Sequence, residues 1–114
     1  MLTLPFPPSA NAIWRNVNGR TLKSAAYRSW LQEALLLLRA QRAPSVKGSY
    51  RLALFADRPD NRRRDLGNLE KAVSDVLVQA GVVEDDHLAA SISLAWSALP
   101  PAKPGAIHVH VVAA

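Results

Sequence analysis

Apolar residues along this chain fall into two stripes of helical period, set among stretches where the period drops to two. From Tyr27, the positions Trp30, Leu31, Ala34, Leu35 and Leu38 keep the spacing of one helical face. Ser24 stands where an N-cap hydroxyl belongs, so the pattern predicts a helix from there to about Gln41, ended by Pro44. Leu36 and Leu37 widen the stripe, which suits a deeply buried helix and a subunit contact equally. A second stripe, Leu69, Ala72, Val73, Val76, Leu77 and Ala80, predicts a helix over roughly Leu66 to Ala80. Gly81 follows where a left-handed C′ residue closes a helix.

The strand-period stretches are four. Residues 1–4 form a short one, stopped by Pro5, Pro7 and Pro8, whose missing N–H groups cannot serve a ladder. Ser49 to Ala56 alternates with Tyr50, Leu52 and Leu54 on one face. Leu88, Ala90, Ile92, Leu94 and Trp96 alternate along a third, and Ile107, Val109 and Val111 oppose His108 and His110 on the last. Between these elements, Ser9 to Lys23 reads as a polar loop around the turn signal Asn18-Gly19, and Asp57 to Arg64 as another. The predicted order is β-α-β-α-β-β: one small α/β (α+β) domain over residues 1–114, with two helices packed on a mixed sheet.

Composition narrows the chemistry. Without cysteine, disulfides, thiolate catalysis and cysteine zinc sites are excluded, and a cytoplasmic location is expected. No unbroken apolar run, Ala34 to Leu38 included, is long enough to span a bilayer, and the first residues lack the basic region of a signal peptide. No membrane association is expected, and no glycine-rich phosphate loop points to an organic cofactor. The net charge of +5 favours a polyanionic partner, most simply nucleic acid.

The charges are unevenly placed. Every acid except Glu33 lies between Asp57 and Asp86, leaving about −3 in that window and about +8 elsewhere. Within it, Arg62-Arg63-Arg64 leads into Asp65 at the start of the second helix, Lys71 follows on that helix, and Glu84-Asp85-Asp86 forms an acidic turn beyond it. Each has a plain structural reading. Asp65 is an ordinary N-cap, Lys71 a solvated charge, and acidic turns and arginine loops are commonly just hydrated. Their conjunction points to phosphodiester chemistry: guanidinium forks suit phosphate oxygens, and clustered carboxylates suit a hard divalent cation. Trp14, Arg15, Arg20 and Lys23 add a loop able to stack on a base or follow a backbone, though Trp14 could equally close the core edge. His108 and His110 read as an exposed face, with no carboxylate adjoining them in sequence.

Two blocks resemble the RusA family of Holliday junction resolvases, crossover junction endodeoxyribonucleases common in phages and prophages. The first is Leu4-Pro5-Phe6-Pro7-Pro8-Ser9-Ala10-Asn11 with Trp14-Arg15 and Gly19-Arg20-Thr21; the second runs from Asp57 to Asp86. The resemblance implies a homodimer that nicks opposed strands of four-way junction DNA, using Mg²⁺ or Mn²⁺, during recombination and repair. It implies catalytic roles for Asp65, Lys71 and Asp86, and metal-ligand roles for Asp65, Asp85 and Asp86. DNA-binding roles are expected of Trp14, Arg15, Arg20, Lys23, Arg62, Arg63, Arg64 and Lys71. It further implies a bacterial or phage-encoded protein, associated with the nucleoid when bound to DNA. One family carboxylate is missing, because position 67 is glycine. Gly67 supplies no ligand, so either impaired cleavage or a binding-only descendant is expected.

Overall fold

A computed structural model of the chain describes residues 1–8, 14–17 and 20–114, with residues 14–17 and 20–23 described as backbone alone. In chain order the elements are β1 (Leu2–Leu4), β2 (Trp14–Val17), β3 (Arg20–Lys23), α1 (Ala25–Ala40), β4 (Tyr50–Asp57), α2 (Leu66–Gln79), β5 (Ala89–Trp96) and β6 (Ala106–Ala113). A single 3-10 turn, Asp86–Leu88, precedes β5. Among the described residues, no helix is long and apolar enough to cross a membrane.

The main sheet has the order β1-β6-β4-β5. β6 runs antiparallel to both β1 and β4, whereas β4 and β5 are parallel, joined through α2. This is the mixed sheet expected from the alternating pattern. The stretch expected as a plain polar loop is different: β2 and β3 pair antiparallel as a separate two-stranded ribbon, with Trp14 opposite Lys23 and Val17 opposite Arg20. The sequences Trp14-Arg15-Asn16-Val17 and Arg20-Thr21-Leu22-Lys23 carry no apolar alternation to signal strands.

Both helices cover one face of the sheet. Tyr50, Leu52, Leu54 and Ala56 of β4 and Ile107, Val109 and Val111 of β6 are all buried, while the alternate residues of both strands are not. They form one core with Tyr27, Trp30, Leu31, Ala34 and Leu38 of α1 and Leu69, Ala72, Val73, Val76 and Leu77 of α2. Each large apolar side chain fully buried there contributes about 1.5–3 kcal/mol. Leu36 remains 66% exposed, whereas Leu37 is partly buried against this core, so the widened stripe of α1 divides between the two.

Local signals place the helix ends. Ser24 Oγ accepts the Tyr27 N–H, as its capping position requires. Gly81 adopts φ +75°, with Val82 N–H bonded to the Leu77 carbonyl and Gly81 N–H to the Val78 carbonyl, which closes α2. The same closure ends α1 at Arg42, which has φ +54° without being glycine. Tyr27 of α1 donates to Asp75 Oδ2 of α2 at 2.5 Å, tying the helices together. Burial and this acceptor raise the Tyr27 pKa.

Candidate active site

β4 ends at Asp57, and the chain needs eight residues to turn into α2. Asp60 organises that loop: its carboxylate accepts the Arg62 N–H at 3.0 Å and Arg64 Nη2 at 2.9 Å. The Arg64 bond, then the Arg62 amide, holds the Asp60 carboxyl below the usual carboxylate range. Arg64 is thereby committed, its side chain only 16% exposed. Arg62, 81% exposed, and Arg63 project to solvent. The predicted arginine clamp therefore divides into one organising residue and two that can meet a ligand.

Asp65 is the N-cap of α2. Its Oδ1 accepts the Gly67 N–H at 2.8 Å, satisfying a free amide at the positive end of the helix dipole. Gly67 has ordinary helical backbone, and a Cβ placed there would lie 3.3 Å from Asp65 Oδ1. Position 67 thus stands directly beside the capping carboxylate, with room that a small shift of exposed Asp65 would complete. Lys71 is exposed on the second turn. A cleft of about 880 Å³ opens here, lined by the arginine run, Asp65 and Asn68, with Phe6 and Trp96 on its wall.

The acidic turn is fastened separately. Val46 bridges to Val83, and Glu84 Oε1 accepts the Gly48 N–H at 2.7 Å, fixing the turn against the segment before β4. Asp85 Oδ1 accepts the His87 N–H at 3.1 Å and meets His87 Nδ1 at 2.9 Å. Those His87 contacts hold the Asp85 carboxyl down to about 2. The Tyr50 phenol has its pKa raised by burial first, then by the negative charges of Asp86, Glu70 and Asp85. The acidic turn and the second helical turn of α2 therefore share one electrostatic neighbourhood. Glu70 also accepts the Ser74 hydroxyl at 2.6 Å.

Oxygen-only donors of this kind suit a hard cation. Among the described residues, however, no three or more aspartates, glutamates or histidines gather as a metal-holding group. Mg²⁺ commonly uses one or two carboxylates and completes its shell with water and phosphate oxygens. The residues present fit an ion completed by substrate, not a cage built by protein alone. The predicted DNA contacts of Trp14, Arg15, Arg20 and Lys23 depend on side chains that lie outside the described residues.

Other side chains stand differently from their reading in the sequence: His108, expected on an exposed face, is half-buried. His108 Nε2 lies 2.7 Å from Asp57 Oδ2, and His108 Nδ1 lies 3.2 Å from Thr3 Oγ1. The histidine that had no acidic neighbour in sequence gains one across the β4–β6 pairing. The nearby Ser97 hydroxyl and then the His108 hydrogen bond lower the Asp57 carboxyl below its usual range, although Ser97 Oγ and Asp57 Oδ1 are both buried without a hydrogen-bond partner among the described residues. Phe6, Arg58 and Trp96 join the cleft only through folding, and Trp96 alternates along β5 like an ordinary strand residue.

Comparison with known proteins gives this geometry a context. A family model described as "Endodeoxyribonuclease RusA" matches residues 5–111. The crossover junction endodeoxyribonuclease of Enterobacteria phage HK97 is 38% identical over 87 residues, covering 74% of this chain and 71% of that protein. The enzyme of the same name from Escherichia coli K12 is 40% identical over 88 residues, covering 75% and 72%. That of Shigella sonnei is 36% identical over 86 residues, again covering 75% and 72%.

Proposed function

The chain belongs to the RusA endodeoxyribonuclease family, and on that premise we propose that it binds four-way DNA junctions as a homodimer with a cleavage site weakened by Gly67. The observation that carries this reading is the cleft at the start of α2, where exposed Arg62 and Arg63 stand beside the Asp65 carboxylate. Cationic groups there receive the DNA backbone, and its affinity is expected to fall steeply with salt. Asp65 with one carboxylate of the Asp85-Asp86 turn, completed by water and phosphate oxygens, would hold Mg²⁺ or Mn²⁺. Such an ion supplies charge neutralisation at a phosphoryl group and a more acidic water.

The protein's own groups have distinct tasks in this reading. Capping leaves Asp65 Oδ2 available beyond the helix amide, while the helix start favours negative charge and so a phosphate. Lys71 meets charge developing on phosphate oxygens. Twofold symmetry would place equivalent sites on opposed strands of one junction. The cytoplasm of a bacterial cell, host to chromosome or phage DNA, is the compartment that matches this activity.

A second reading, a binder of branched DNA without catalysis, is favoured by Gly67 itself. The two separate when a labelled four-way junction is incubated with Mg²⁺ and either the native chain or Gly67→Asp. Paired symmetric nicks should appear at least about 100-fold faster with Gly67→Asp, since misplaced reacting groups cost about that much. Should Gly67→Asp bind the junction and never cut it in Mg²⁺ or Mn²⁺, the binding-only reading stands.

A further inference from the structure

Beside the carboxylates lies a surface that the cleavage reading leaves unused. The rings of Phe6 and Trp96 are within 13° of parallel, with centroids 6.3 Å apart. The Arg58 guanidinium sits 4.0 Å from the Trp96 ring centroid, and that of Arg64 sits 5.0 Å from the Phe6 centroid. Three separate parts of the chain thus contribute flat aromatic and cationic planes to one wall of the cleft. Arg64 Nε is buried and finds no hydrogen-bond partner among the described residues, leaving a donor unsatisfied beside that wall. Asn68 supplies an amide at the same cleft, and Asp65 is the one acid lining it among the described residues.

These features fit a nucleobase. Aromatic rings and guanidinium planes bind any base through its π-face, and stacking tolerates sequence. A cleft of about 880 Å³ holds one nucleotide with space to spare. A fully stacked duplex exposes no base face to such a wall, whereas a branch point offers bases that unstack cheaply. The exposed Arg62 and Arg63 then stand where that nucleotide's phosphates leave the cleft.

We propose that the cleft walled by Phe6, Arg58 and Trp96 is a subsite for one nucleotide unstacked from the branch point of the DNA. The inference rests on the junction-binding reading and makes the wall a positioning element. Seating one base fixes which phosphate comes to Asp65, without a further contact at the reacting atoms.

The test is a coupling measurement. Four-way junctions carrying a single abasic nucleotide at successive positions around the branch point are bound by the native chain, Trp96→Ala, Trp96→Phe and Arg58→Ala. With the intact junction, Trp96→Ala should weaken binding about 5- to 150-fold, the range for losing one stacked base. Trp96→Phe should recover most of that loss, and linear duplex affinity should change less than about twofold. At one abasic position, Trp96→Ala and Arg58→Ala should add nothing further, because the base they hold is already gone. Arg58 is outside the core, so its variant keeps the test open if Trp96→Ala unfolds. Additive losses at every abasic position would overturn the proposal, as would native junction affinity in folded Trp96→Ala and Arg58→Ala. If the native chain shows no preference for junctions over duplex, the functional reading itself fails.

Discussion

The two ends of the candidate site treat negative charge in opposite ways. In the loop entering α2, each acid already has a partner: Asp60 holds two arginines, Asp65 holds a backbone amide and Asp57 holds His108. In the turn before β5, Glu84 holds the Gly48 amide and Asp85 holds His87, and burial followed by the charges of Asp86, Glu70 and Asp85 disfavours ionisation of Tyr50. The first region is settled without a ligand and presents cations outward. The second gathers carboxylates whose fixed partners are a backbone amide and one exposed histidine, so it presents negative charge outward. In the proposed reading, phosphate would meet the first region and a divalent cation the second, so the two would act together on one substrate.

The sharpest way to break this comparison is to neutralise the shared carboxylate. In the Gly67→Asp background, Asp65→Asn should remove at least about 100-fold of the cleavage rate measured with a labelled junction. Asparagine caps a helix nearly as well as aspartate, so the thermal midpoint should stay close to that of the parent. An equal rate would return Asp65 to a purely capping role.

The cationic side is tested next. Arg62→Ala with Arg63→Ala should weaken junction binding and lower the slope of log K against log salt by about 2, roughly one for each phosphate no longer neutralised. Arg64→Ala should act differently, loosening the loop because it removes the partner of Asp60.

A smaller effect separates the regions by pH. Asp57 has a depressed folded pKa, so its contribution to stability is present above 3.8 and is lost as pH falls through the folded value. Tyr50 has a raised one, so its contribution is present below 10.0 and is lost as pH rises toward the folded value. Urea midpoints across both limbs should show Asp57→Asn flattening the acid limb only. Tyr50→Phe should flatten part of the alkaline limb, the remainder belonging to Tyr27.

Legibility in the sequence followed contact range. The stripes of α1 and α2, the Ser24 cap and the Gly81 closure are local, and they stand where periodicity and capping chemistry put them. The β2–β3 ribbon escaped because Trp14-Arg15-Asn16-Val17 and Arg20-Thr21-Leu22-Lys23 have no apolar alternation to mark an inner face. Arg42 closes α1 in a left-handed conformation that glycine usually signals, so nothing announced it. The His108–Asp57 pair and the Phe6–Trp96 wall join residues far apart in sequence; β4–β6 register brings the first together and tertiary packing the second. The acidic window was visible from composition and spacing, whereas Gly67 stood out only against the pattern that the RusA resemblance implies. The division of labour among Arg62, Arg63 and Arg64 needed the Asp60 contacts.

Calorimetric titration of Mg²⁺ into Gly67→Asp, with and without Asp65→Asn, Asp86→Asn and both, tests most directly whether the two regions serve one ion. Each single change should weaken binding about tenfold or more, and the pair should cost little beyond either alone. Undiminished binding after Asp86→Asn, or losses that simply add, would show that the acidic turn and the start of α2 hold no cation in common.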